Sequence, residues 1–191
     1  MSSLDRLLED LISGEEARAE NAASQLAQLS RSIFPELDVL LKSSEADHRW
    51  WAVRTLAQMP EADQDCFINA LNDVSPDVRQ AAALALVAHP TEKAVPALVH
   101  ALNDEDVLMQ TLAGKALSAV GKPAVPKLIE EFPQASSSVR IQMMRVLAEA
   151  RDPRAIPVMM KAMEEGSAIL HHWCEVGLQQ LGLDMVYLKL S

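Results

Sequence analysis

Aromatic residues are scarce in this chain: three Trp, three Phe and one Tyr among 191 residues. Aliphatic residues and Ala fill the apolar share instead, which suits helices packed on helices. Cysteine is nearly absent. Cys66 and Cys174 stand far apart in sequence, so no disulfide framework is indicated and a reducing compartment is expected. No apolar run is long enough to span a bilayer. The start, Met1-Ser2-Ser3-Leu4-Asp5-Arg6, has neither the basic opening nor the apolar core of a signal peptide. Together these absences predict a soluble, cytoplasmic protein without a membrane partner. Positive charge is also short: the formal net charge is −10 and the pI near 4.9. Wrapping DNA or RNA needs a basic face, so nucleic acid is not an expected partner.

What the chain does have is a period. Arg49, Arg79, Gln110, Arg140 and His171 recur at intervals of 30 or 31 residues. Each is followed seven residues later by a leucine: Leu56, Leu86, Leu117, Leu147 and Leu178. Pro35, Pro96, Pro126 and Pro157 each stand 14 residues before the Arg position, and Asp65 takes that place in the remaining copy. A fixed period of this size over five copies indicates a solenoid. The clearest copy opens Ser75-Pro76-Asp77-Val78-Arg79. Ser75 is a candidate N-cap, Pro76 a first-turn proline, and Asp77 favours the positive end of a helix dipole.

Each repeat divides into two helices. Ala94 to Leu102 forms a first helix with Pro96 in its opening turn. Asn103-Asp104-Glu105-Asp106 makes the turn, Val107 to Val120 forms the second helix, and Gly121 ends it. The repeats lie at about 4–30, 33–59, 62–89, 92–121, 123–150 and 153–182, with a C-terminal cap over 183–191, and are read as a single domain over 1–191. The first repeat is the degenerate one. Leu4 to Ile12 is its first helix, and Ser13-Gly14-Glu15-Glu16 is read as a capping box opening its second. An atypical end repeat is what a solenoid needs, because one face has no neighbour. No stretch alternates long enough to require a strand.

Paired helices, proline in the first, and Asp-Val-Arg followed by small residues and Leu in the second resemble HEAT repeats. The short period is similar to the compact bacterial, phycobilisome-lyase-type repeats. Asp77-Val78-Arg79 carries the likeness best, followed by Ser138-Val139-Arg140 and Asp47-His48-Arg49. The resemblance implies an all-α fold, a right-handed α-solenoid of about six helical hairpins. In that family the Asp and Arg of successive repeats form a ladder. Here it would run through Asp47 and Asp77 and through Arg49, Arg79 and Arg140, thinning where Leu108, Ser138 and Ile169 hold the Asp position. The arginines are read as structural, meeting turn carboxylates or carbonyls.

Chemical motifs are few. Some HEAT-like proteins are deoxyhypusine hydroxylases, which bind iron through His-Glu pairs. None of His48, His89, His100, His171 and His172 is followed by Glu. The HEAT-like alkylpurine DNA glycosylases are basic, and this chain is not. His171, Cys174 and Glu175 share one helical side, but no fourth ligand is evident and Cys174 falls at a buried repeat position. No phosphate loop or activated nucleophile is found. Hence no catalytic residue, metal or cofactor is assigned.

The second helices of a HEAT array line its concave face. At ~100° per residue, positions one before, three after and seven after the Arg position share a buried side. Val78, Ala82 and Leu86 are that side in one repeat. Positions one and five after then point outward. The first of these reads Trp50, Gln80, Thr111, Ile141, His172, and the second Arg54, Leu84, Lys115, Arg145, Val176. Cations beside large apolar groups are common anchors of protein interfaces. Trp50, Arg54, Leu84, Lys115, Ile141, Arg145, His172 and Val176 are therefore the candidate partner-binding residues, for a protein segment carrying acidic and apolar side chains. Trp51 and Trp173 are assigned to packing.

Two function classes follow. The first is a non-enzymatic interaction module: scaffold, adaptor or assembly chaperone. The alternative is a bilin lyase-like subunit whose groove holds a tetrapyrrole, with Arg54 and Arg145 for its propionates and His172 and Cys174 as reactive groups.

Overall fold

Short amphipathic segments closed by tight turns leave each helix one apolar stripe to bury, and pairing is the cheapest way to bury it. In the computed structural model, which describes residues 3–165 and 167–183, they pair as six hairpins. The helices are α1 (Ser3–Leu11), α2 (Glu16–Ala27), α3 (Phe34–Leu41), α4 (Ala46–Leu56), α5 (Gln64–Ala70) and α6 (Pro76–Ala88). They continue with α7 (Val95–Ala101), α8 (Val107–Val120), α9 (Val125–Glu131), α10 (Ser137–Ala150), α11 (Ile156–Ala162) and α12 (Ala168–Gln180). No strand occurs among the described residues, so the class is all-α. The proposed C-terminal cap lies almost wholly outside the described residues.

The chain forms two compact units, Met1–His89 and Pro90–Ser191. In the first, α2, α4 and α6 pack side by side as one layer, with α3 against α4 and α5 against α6. In the second, α8, α10 and α12 form the corresponding layer, backed by α7, α9 and α11.

The buried stripe is the one the period predicts. Val78, Ala82 and Leu86 are buried, as are Met109, Ala113 and Leu117, then Val139, Met143 and Leu147, then Leu170, Cys174 and Leu178. Each fully buried Leu or Val contributes about 1.5–3 kcal/mol relative to exposure. Proline opens α3, α7, α9 and α11 where a missing N–H leaves no bond unmade. Gly121 closes α8 with φ 73°, a conformation that favours glycine.

Two helix starts differ from expectation. Ser75 holds the N-cap position of α6, but its side chain makes no capping bond. Asp73 supplies the local acceptor instead, taking the Ser75 N–H at 2.8 Å. The capping box at Ser13–Glu16 does not form either. Glu15 is the N-cap of α2 without a side-chain bond, and Ser13 Oγ accepts from Glu15 N. In both places a residue before the cap organises the turn, a choice open to short polar side chains.

Candidate functional site

The Arg position is a structural lock. Arg49 donates from Nε and Nη2 to the two carboxylate oxygens of Asp73, each at 2.7 Å, and from Nη1 to the carbonyls of Ser43 and Ser44 at 2.9 and 3.0 Å. Arg79 Nη1 donates to the carbonyls of Asp73 and Val74. Gln110 Nε2 donates to the Asp104 carbonyl at 2.8 Å. Arg140 grips Glu165 with both Nη atoms, while its guanidinium lies 4.5 Å from the Phe132 ring centre. The structural reading of these arginines therefore holds.

The ladder itself is built differently from the expectation. Arg49 and Arg140 pair with Asp73 and Glu165, not with Asp47 or Asp77. The acceptor lies in the turn of the next hairpin, because a long arginine leaning from the first turn of a second helix reaches the neighbouring turn. The signal was present in the register: 24 or 25 residues after the Arg position stand Asp73, Asp104, Gln134 and Glu165.

In the first unit, Trp50 is half-buried and meets Trp51 edge to face, with ring centres 4.7 Å apart. Trp51 is buried, as its packing assignment requires. Arg54 lies 4.8 Å from the Trp50 ring centre and donates to both oxygens of Glu20 on α2, at 3.0 and 2.9 Å. That cation already has a carboxylate. Leu84 is 56% exposed, the clearest apolar side chain on this face. Beside Trp50 opens a cleft of about 590 Å³. Its wall includes Ile12 and Trp51, and its rim carries Glu16, Glu45, Asp47 and Asp77. Sequence reasoning missed this acidic rim and Glu20, because both come from helices and turns outside the stripe's own register.

In the second unit, Lys115 and His172 are exposed, and Thr111, Ile141, Arg145 and Val176 are half-buried. Arg145 has no carboxylate partner among the described residues, and its Nε is inaccessible and unbonded. Trp173 is half-buried, its ring 5.5 Å from that of His172. His171 Nδ1 lies 3.5 Å from Glu175 Oε1. Cys174 is fully buried, and burial pushes its thiol up to about 11. Among the described residues no three His, Cys, Asp or Glu side chains converge to hold a metal.

Cys66 is held in a similar state. Its S–H donates to the Asp63 carbonyl at 2.8 Å, and burial first, then the Asp63 charge, pushes it up to about 12. Only the thiolate reacts readily, and at about pH 8 a thiol this weak is ionised to roughly one part in a thousand or less. Neither cysteine should therefore be modified by iodoacetamide in the native protein, while both should react in denaturant. Rapid native labelling at Cys174, read by mass spectrometry, would contradict the buried placement.

Paired helices in stacked layers, a turn-locking arginine and an exposed second-helix face define the class: a helical repeat solenoid. Residues 65–132 match the family model for HEAT repeats, and residues 139–165 match that for the PBS lyase HEAT-like repeat. Both stretches therefore carry HEAT-like repeats, the second of the phycobilisome-lyase type. It is 27% identical over 146 residues to the uncharacterized phycocyanin operon protein Z of Pseudanabaena tenuis (strain PCC 7409), covering 71% of this chain and 72% of that one. Among solved structures it is similar to the complex of CpcE and CpcF of phycocyanin lyase from Nostoc sp. PCC7120, at TM-score 0.58 and 23% identity, covering 75% of this chain and 97% of that one. A designed armadillo repeat protein in complex with the peptide (KR)4 matches at TM-score 0.50 and 15% identity, covering 94% and 99%. No helix among the described residues is long and apolar enough to cross a membrane.

Proposed function

We propose that this protein is a non-enzymatic, phycobilisome-related interaction module, a scaffold, adaptor or assembly chaperone. Its second-helix faces, concave in a HEAT array, hold a segment of a protein partner. The carrying observation is the outward face itself. Leu84 is 56% exposed there, Trp50, Ile141 and Val176 are half-buried, and Lys115 is exposed beside an unpaired Arg145. Apolar groups left in water next to cations that lack internal partners are what an interface removes from solvent. Local charge differs between the units. The Trp50 cleft is acid-rimmed and Arg54 is taken up by Glu20, whereas Arg145 and Lys115 leave the second unit's face cationic. A partner segment with apolar residues and charges of both signs would match these faces better than a purely acidic one.

The test is capture of a partner from lysate of the source cells by the native protein and by a Trp50→Ala/Arg145→Glu double variant. We expect a specific protein on the native form and its loss from the variant, with both forms showing the same helical circular dichroism. Retention by both forms would remove the second-helix face from the proposal.

A second reading, a lyase-type subunit holding a tetrapyrrole, is favoured by the likeness to the complex of CpcE and CpcF of phycocyanin lyase. Two of the groups it needs are already committed: Arg54 to Glu20, and Cys174 to the core. Visible absorbance taken up from added bilin would restore it.

A further inference from the structure

Arg145 is the least satisfied cation of the described residues. It sits on the outward side of α10, half-buried, with Nε shielded from water and no acceptor in reach. Glu149, one turn further along the same helix, does not pair with it and instead accepts from Ser118 Oγ. Gln142 Oε1, one turn before, is also shielded and unbonded. A buried guanidinium edge without an acceptor is unfavourable, and the chain tolerates it.

The neighbouring helix makes room for this arrangement. Gly114 lies in the middle of α8, where glycine weakens a helix. A Cβ at that position would stand 2.8 Å from Arg145 Nη2 and 3.6 Å from Gln142 Oε1. The same repeat position is held by Val53, Ala83, Met144 and Glu175 in the other copies. Only here is it vacant, and only here does the space receive an unpaired guanidinium. Ile141 and Val176, both half-buried, belong to the same helix layer, and exposed Lys115 follows Gly114.

We infer that Arg145, cradled by Gly114, is a carboxylate-binding subsite for an Asp or Glu side chain of a protein partner. The inference rests on the interaction-module reading and names one anchor of it. A guanidinium fork donates to the two oxygens of a carboxylate in one plane. Phosphate is the poorer fit. Many phosphate sites add free backbone N–H groups at a helix start to the guanidinium, and Arg145 lies mid-helix, where those groups are already bonded. Flanking apolar side chains favour a carboxylate carried on a peptide.

The experiment is a nitrogen-15 NMR titration of the full chain, following the Arg145 guanidinium N–H signals, including the terminal Nη–H groups, assigned by their loss in Arg145→Lys. The probe is N-acetylglutamate methylamide, with N-acetylglutamine methylamide and inorganic phosphate as controls. The expected result is a saturable downfield shift with the glutamate probe at millimolar concentration. The glutamine probe should bind roughly tenfold more weakly or worse, since a charge-assisted hydrogen bond is lost. Gly114→Ala should displace the guanidinium tip and weaken the binding severalfold while preserving helicity, because alanine is the better helix former. An unmoved signal, an equal shift with glutamine, or tighter binding of phosphate would each overturn the assignment. Partner capture that survives Arg145→Gln would leave the module standing and remove this subsite. A positive titration without any partner captured would do the reverse.

Discussion

Replacing Arg49 with alanine is expected to cost about 3–5 kcal/mol of stability. Its pair with Asp73 is well enclosed, with side chains only 11% and 12% exposed. Four donor contacts from one guanidinium tie two turns of the first unit together. Removing the cation leaves the Asp73 carboxylate enclosed without its partner, which is where most of the loss arises. Asp73→Ala should cost at least as much, since it also removes the acceptor of the Ser75 N–H. Replacing both partners with apolar side chains, Arg49→Met with Asp73→Leu, should cost less than either single change, because no charge is then stranded. Urea unfolding of the three variants checks this. A change below about 0.5 kcal/mol for Arg49→Ala, the level of an ordinary surface substitution, would refute the lock.

The same pair predicts an acid response. The Arg49 hydrogen bond holds the Asp73 carboxyl below its ordinary value of 3.8. A carboxylate with a depressed folded-state pKa stabilises fully above its unfolded value and loses that contribution as pH falls through the folded one. The stability gap between the native protein and Arg49→Ala should therefore be widest near neutrality and narrow below about pH 4.

Phe67→Ala should be comparably damaging, at about 3–5 kcal/mol. Phe67 is fully buried on α5, a helix of 7 residues with little else to anchor it. Its ring stacks on His89 at 5.7 Å, and His89 Nε2 contacts the Ala57 carbonyl at 2.8 Å. His89 borders the vacated space and is itself tied to the Ala57 carbonyl, which limits collapse into it. Thermal unfolding followed by circular dichroism measures the effect, and Phe67→Leu should recover most of the loss. A midpoint for Phe67→Ala within about one degree of the native value would show that α5 is not held by this ring.

Period and spacing made the helical architecture legible. The five-fold recurrence of Arg and Leu positions placed the second helices, and the recurring prolines placed the first. The buried stripe followed from 100° geometry alone, so Val78, Ala82 and Leu86 were legible as core. The candidate site was legible only as a set of directions. Leu84 does face solvent, and Trp51 is indeed buried, because both facts depend on one helix's own phase. Neither the Glu20 partner of Arg54 nor the acidic rim of the Trp50 cleft was visible, because each joins residues of different hairpins.

The chain's sequence by itself determined that it is an all-α repeat protein and which side of each second helix is core. Local phase and turn chemistry suffice for that, since both act within one repeat. Only the tertiary structure decided which carboxylate each arginine grips, which cations stay unpaired, and that Gly114 clears space for Arg145. Those outcomes depend on how far a long side chain reaches across a helix seam. A periodic sequence gives the same phase to every repeat and leaves that reach to the packing.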